Sequence, residues 1–142
     1  MTYFRAVDPF PLESADHNKL HEFYARLGQG RLSTTRCAGC GRTAWPPRAF
    51  CAECCSDRFD WVDLPSAGTV HAFTVQATGL PVGFDGPRVF AIVEVDGHRV
   101  FSIIVDGDPS QIAIGQRVSL KPLRVGDDPQ GHPRWLPAFT PV

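Results

Sequence analysis

Cys37-Ala38-Gly39-Cys40-Gly41 and, ten residues further on, Cys51-Ala52-Glu53-Cys54 decide how this chain is read. Two thiolates two residues apart can grip one tetrahedral ion from a single tight turn, and the chain between the pairs need only double back in a short hairpin. The spacing predicts a four-thiolate site of Cys37, Cys40, Cys51 and Cys54 holding structural Zn2+. Gly41 suits a knuckle that needs positive φ just past its second thiolate. Cys55 fills the matching place in the second knuckle, and it is the alternative to Cys54 as fourth ligand; the commoner two-residue bite favours Cys54. Iron in the same cage, a disulfide framework and free thiols compete with zinc. Four thiolates leave no open position for water, so the site reads as structural, not catalytic. A thioredoxin-type redox pair needs a βαβ setting that the flanking sequence does not offer.

Outward from the cysteines, the chain has 142 residues, with 43% hydrophobic residues and a net charge of −1. That is room for one domain or two small modules. The balanced charge advertises no polyanion partner. Thirteen glycines and thirteen prolines favour a turn-rich β protein over a helical bundle. No apolar run is long enough to span a bilayer, and the first residues carry no basic-then-apolar leader. A soluble, cytoplasmic protein with reduced thiols is expected.

The segment from Met1 to Leu12 reads as an irregular arm blocked by Pro9 and Pro11. Ser14 or Asp16 can cap a helix running to Leu27, with Gly28 as its C′ residue. Leu20, Phe23, Tyr24 and Leu27 give it one apolar stripe, which must dock either on this chain or on a partner. Arg31 to Arg36 leads extended into the first knuckle. Trp45-Pro46-Pro47-Arg48 is a stiff spacer between the knuckles, with Trp45 and Phe50 placed to cover the metal cage. Phe59 and Trp61 start a short strand leading away from it.

From Gly68 the pattern turns to period two. Strands are expected over Gly68–Thr78, Arg88–Val95, Arg99–Val105, Arg117–Val125 and Arg134–Phe139. Asp96-Gly97 makes a tight hairpin. Pro109 to Ile114 makes one helical turn between the third and fourth strands. Five strands with that helical turn match the oligonucleotide/oligosaccharide-binding (OB) barrel. The fold class is therefore mainly β: an arm and helix (1–30), a four-cysteine zinc ribbon (31–64) and a five-stranded OB barrel (65–142). No internal repeat is present.

In that order, these parts resemble a known family: the DUF35 proteins associated with acyl-CoA metabolism, which join a rubredoxin-like zinc ribbon to an OB-fold. The resemblance rests on Phe23-Tyr24, Gly30-Arg31-Leu32, Cys37-x-x-Cys40-Gly41, Pro46-Pro47-Arg48 and Cys51-x-x-Cys54. It continues through Gly68-Thr69-Val70, Phe73-Thr74-Val75 and Ile114-Gly115. The departure is Cys55, where the family usually has glycine or another small residue. The resemblance implies a non-catalytic accessory subunit of a thiolase-like enzyme that makes or breaks carbon–carbon bonds in acyl-CoA thioesters. It implies support of the partner, help in forming the coenzyme A or substrate channel, and by analogy a heterotetramer of two plus two subunits.

The remaining residues agree with the absence of a catalytic site. His71, His98 and His132 lie in no nucleophile motif. His17 and His21 share a helix face but lack a third metal ligand. Asp106 and Asp108 flank Gly107 as a turn. Arg42 and Arg48 on the ribbon, with Lys121 and Arg124 on the fourth strand, are the candidates to meet coenzyme A phosphates through charge-assisted hydrogen bonds; the plain alternative is solvated surface charge. Trp135 and Phe139 read as barrel core or rim. Two rival functions remain. A single-stranded nucleic-acid binder needs a basic groove with aromatic platforms on the second and third barrel strands, where only Phe90, Phe101, Arg88 and Arg99 are on offer. A stand-alone thioesterase or hydratase needs a site that the sequence does not show.

Overall fold

A computed structural model of the protein describes residues 10–80 and 84–142. Most of the expected N-terminal arm lies outside the described residues. The element that opens the described chain is shorter than its apolar stripe suggests. Residues 14–17 form a turn, with the amides of His17 and Asn18 both donating to the Ser14 carbonyl. The helix α1 begins only at His21 and runs His21–Gly28. Asn18 ends the turn, its side chain accepting the Leu20 N–H at 2.8 Å, because a short amide competes well for backbone donors. Gly28 is not the C′ residue. The Gly30 amide donates to Leu27 and the Arg31 amide to Arg26, and Gly30 holds the positive φ of +80°. This is a Schellman ending with Gly30 at C′. Gly28 is small for another reason: a Cβ there would lie 2.7 Å from the Trp135 indole nitrogen.

Strand β1 (Ser33–Cys37) pairs antiparallel with β2 (Phe59–Asp63) to form the ribbon. The start of β1 is polar yet buried, and its threonines explain how. Thr34 donates to the Ala44 carbonyl. Thr35 accepts the Arg48 amide through its hydroxyl at 2.9 Å and the Ala44 amide through its carbonyl. These bonds hold the double-proline spacer against the strand and satisfy groups that burial would otherwise penalise.

The barrel consists of β3 (Ala67–Gln76), β4 (Arg88–Val95), β5 (His98–Ile104), β6 (Arg117–Leu120) and β9 (Ala138–Pro141). It closes in the spatial order β3-β4-β5-β9-β6. Only the β5–β9 pairing is parallel. This is the OB arrangement, with a single 3-10 turn at Pro109–Gln111 between its third and fourth strands. Asp96 and Gly97 both take positive φ in the β4–β5 hairpin, as a type I′ turn requires.

The fourth and fifth strands differ from expectation. Each is broken by a proline. Strand β7 (Leu123–Val125) and strand β8 (Arg134–Leu136) form a separate two-stranded sheet. Leu120 pairs with Phe139 and Leu123 with Leu136, so the register on both sides places Pro122 opposite Pro137. Neither proline has an amide to donate, and the ladder cannot continue through them. Past the break the hairpin leaves the barrel and packs β8 against α1.

One apolar cluster links all these parts. Val70, Val93, Val95, Val100, Val118 and Phe139 fill the barrel, and Phe23, Leu27 and Leu32 join the same cluster from the helix and ribbon. The helix therefore docks on its own chain. Leu27 is fully buried, worth about 2 kcal/mol against exposure.

Candidate metal centre

The two cysteine turns repeat one another in detail. In the first, the Cys37 amide donates to Arg42 and the Gly41 amide to the Cys37 carbonyl; in the second, the Cys51 amide donates to Ser56 and the Cys55 amide to the Cys51 carbonyl. Gly41 has φ +76° and Cys55 φ +61°. Cys55 thus occupies the left-handed place of its knuckle, where glycine is usual. Its thiol is not in the cluster. The sulfurs of Cys37, Cys40, Cys51 and Cys54 all lie within 4.8 Å of one another.

The donor set fits a tetrahedral zinc ion. Zn–S bonds of the usual length put sulfurs about 3.8 Å apart, and Cys37 to Cys54 and Cys40 to Cys51 measure 3.5 and 3.6 Å. Backbone amides already point at the sulfurs: Gly39 donates to Cys37 at 3.3 Å and Glu53 to Cys51 at 3.4 Å. A Cβ at Gly39 would sit 3.3 Å from the Ser56 Cβ, tighter than ordinary contact, so glycine eases the approach of the two knuckles. The Cys40 amide pulls the Cys37 thiol down to about 6, helped by Cys54 and Gly39 and opposed by burial. Cys54 is pushed up to about 12: the Ser56 amide pulls it down, but Cys37, burial, Cys40 and Cys51 outweigh it. Four thiolates this close repel, and a dication removes the repulsion.

Beside the cluster lies a cavity of about 170 Å³ lined by Arg42, Arg48 and Arg58 with Trp45 and Phe50. Trp45 also leans on Phe23, ring centroids 6.1 Å apart, so it joins the ribbon to the helix. Phe50 stays 58% exposed. The four candidate phosphate-binding residues fall into two places. Arg42 and Arg48 share the ribbon cavity, whereas Lys121 and Arg124 flank the Pro122 break and are not part of its lining. Three already have acidic neighbours: Arg42 meets Glu53 at 3.0 Å, Lys121 meets Asp106, and Arg124 meets Asp127 at 3.0 Å. These pairs are exposed and worth little individually.

Asp108, Asp128, His21 and His132 make turn contacts. Asp108 caps the 3-10 turn through the Ser110 amide at 2.9 Å. His21 contacts the Asn18 carbonyl through Nδ1. The four cysteines are the single grouping of three or more possible metal ligands among the described residues. No helix among the described residues is long and apolar enough to cross a membrane.

Sequence reasoning missed a polar lock behind the helix. Glu13 is 6% exposed and accepts the Trp135 amide with both oxygens, at 3.0 and 2.9 Å. Arg134, 2% exposed, donates to the carbonyls of Gly126, Asp127 and Phe10. Asp128 accepts the amides of Gln130 and His132 and contacts the His132 ring. The one available signal was compositional: charged residues beside apolar ones in Arg134-Trp135.

Comparison with known proteins agrees with these parts. Residues 25–60 match the family described as the ChsH2 rubredoxin-like zinc ribbon domain, and residues 61–121 the family described as the ChsH2 C-terminal OB-fold domain. The chain is 36% identical to a DUF35 domain-containing scaffold protein of Methanothermobacter thermautotrophicus over 63% of this chain and 69% of that one. It is also 36% identical to a probable enoyl-CoA hydratase alpha subunit of Thermomonospora curvata over 97% of this chain, which spans only 41% of that protein's length. Among solved structures it superposes on a chain of the Ltp2-ChsH2(DUF35) aldolase with a TM-score of 0.73 and 32% identity, covering 87% of this chain and 95% of that one.

Proposed function

Since this chain belongs to the DUF35 family of zinc-ribbon and OB-fold scaffold proteins, we propose that it is a non-catalytic accessory subunit of a thiolase-like enzyme acting on an acyl-CoA thioester. The observation that carries this reading is its likeness, across nearly the whole of the matched chain, to the DUF35 component of an aldolase. The protein's own residues agree, because its polar clusters are spent on turns and locks. A nucleophile with a base and an orienting group is not assembled among the described residues.

In this reading the ribbon is a rigid structural unit. Cys37, Cys40, Cys51 and Cys54 hold one Zn2+, which supplies cross-linking of the two knuckles. Arg42 and Arg48, in one cavity beside the thiolates, are the better placed pair for a coenzyme A phosphate; Lys121 and Arg124 stand apart. The partner carries the chemistry, and the complex contains two copies of each subunit.

The test is purification of the tagged chain from its native host, with the co-purifying proteins identified by mass. A stoichiometric thiolase-like subunit is expected. A chain that elutes alone, or that turns over an acyl-CoA thioester unaided, overturns the reading.

A further inference from the structure

The outer face of β4 and β5 carries aromatic surface that the described residues leave uncovered. Phe101 projects outward from β5 and is 68% exposed. It stacks on Phe90 of β4, with centroids 6.1 Å apart and planes 10° from parallel, the diagonal pairing open to large rings on neighbouring strands. Phe90 meets Phe84 edge-on, and Phe84 meets Phe10. Phe101 also forms the wall between two recesses. One, of about 680 Å³, runs between the barrel, Tyr24 of the helix and the Trp45-Pro46-Pro47 spacer. The other, of about 230 Å³, lies over the phenylalanine file. Among the described residues, Arg99 is the sole charged one lining either recess. It makes no ion pair among the described residues.

We propose that this face, centred on Phe101 and Arg99, is where the thiolase-like subunit docks, through an apolar knob with a carboxylate beside it. The inference rests on the accessory-subunit reading and adds the surface that reading needs. Charge decides between occupants. A second copy related by a two-fold axis would set Arg99 against Arg99 with no acidic residue in the lining to separate them. A single nucleic-acid strand needs a basic track along its phosphates, and the face offers two cations, Arg99 and a half-buried Arg88 whose guanidinium is already stacked 5.6 Å over the Phe84 ring. A protein surface bearing a carboxylate answers both the unpaired Arg99 and the aromatic anchors, the mixture that dominates protein interfaces.

The test uses the full chain and the thiolase-like subunit that co-purifies with it. Phe101→Asp and Arg99→Glu are compared with the unaltered chain and with Ile114→Asp, which alters a side chain 70% exposed that lines neither recess. Zinc content and thermal melting confirm that each variant is folded. Phe101→Asp and Arg99→Glu are expected to weaken partner binding about 30-fold or more, the loss typical of an interface hot spot. Arg99→Lys keeps most of the affinity, and Ile114→Asp all of it. Undiminished binding by Phe101→Asp overturns the docking face while leaving the accessory reading intact. Self-association of the chain, or binding of a single-stranded oligonucleotide, that disappears with Phe101→Asp also overturns it. Failure of the unaltered chain to bind any thiolase-like subunit overturns both.

Discussion

The carboxylate of Glu13 takes the backbone N–H of Trp135 with both oxygens, across 122 residues of sequence. The bond ties the segment before the helix to β8, the strand against which the helix rests. Burial, the largest influence on this carboxyl, raises its pKa from 4.5 to about 7; the Trp135 amide and Arg134 oppose the rise and Asp128 adds to it. A pKa higher in the folded chain means that the folded state holds the proton more tightly. The stabilisation is then complete below about pH 4.5 and is lost as pH rises through about 7. Thermal melts of the protein and of Glu13→Gln at pH 4.5 and pH 8 should show the protein losing on the order of 1–3 kcal/mol relative to the variant at the higher pH. Parallel pH profiles would contradict this.

Zinc should be present at about one ion per chain. Cys37→Ser, Cys51→Ser or Cys54→Ser should lose it and unfold the ribbon, because binding and folding of such a small unit are one event. Metal analysis and melting with and without a chelator check this. Cys55→Ser should retain full zinc.

Cys55→Gly should go further. Cys55 has φ +61°, a region that costs an L-residue about 1 kcal/mol and glycine nothing. The lower unfolded-state freedom of cysteine offsets part of that. A net gain of about 0.5 kcal/mol in urea melts of the zinc-loaded chain is expected, with no gain for Cys55→Ala.

Gly68→Ala should be among the most damaging single changes. A Cβ at Gly68 would lie 2.5 Å from the Val93 side chain and 2.9 Å from the Glu94 carbonyl. The backbone contact cannot rotate away. A loss of about 2–3 kcal/mol follows from overpacking at a closed barrel seam. Gly28→Ala has a mixed balance. The helix gains up to about 1 kcal/mol from alanine, but the new methyl meets the Trp135 ring. The net effect is expected to be a loss of about 1 kcal/mol, accompanied by a change in Trp135 fluorescence.

Much of this was legible beforehand because the signals were local. Cysteine spacing, the Asp96-Gly97 turn and the period-two runs each depend on a few neighbouring residues. The errors arose where a distant residue had the final word. Gly28 looked like a helix end, yet its smallness answers to Trp135. The strands around Pro122 and Pro137 looked continuous because their alternation is, and only pairing shows that two residues without amides meet. Glu13 drew no reading, and Arg134 drew one only as the start of a strand, because their partners are mostly backbone groups, which carry no sequence signature. Among the candidate phosphate ligands, charge could be read from sequence, but their separation into two places could not.

Strand β9 pairs with both β5 and β6, so the order of the barrel in space is not its order in time. As the chain emerges from a ribosome, helix, ribbon and the β3–β5 meander can form while the seam still gapes. Until residues 138–141 arrive, β5 and β6 present bare edges of the kind that recruit strands from other molecules. Closure then requires contacts between segments some 35 residues apart in sequence, which is slow compared with forming a hairpin. Among variants of equal loss in melting temperature, those that loosen the last strand should therefore suffer most in yield, through aggregation during synthesis.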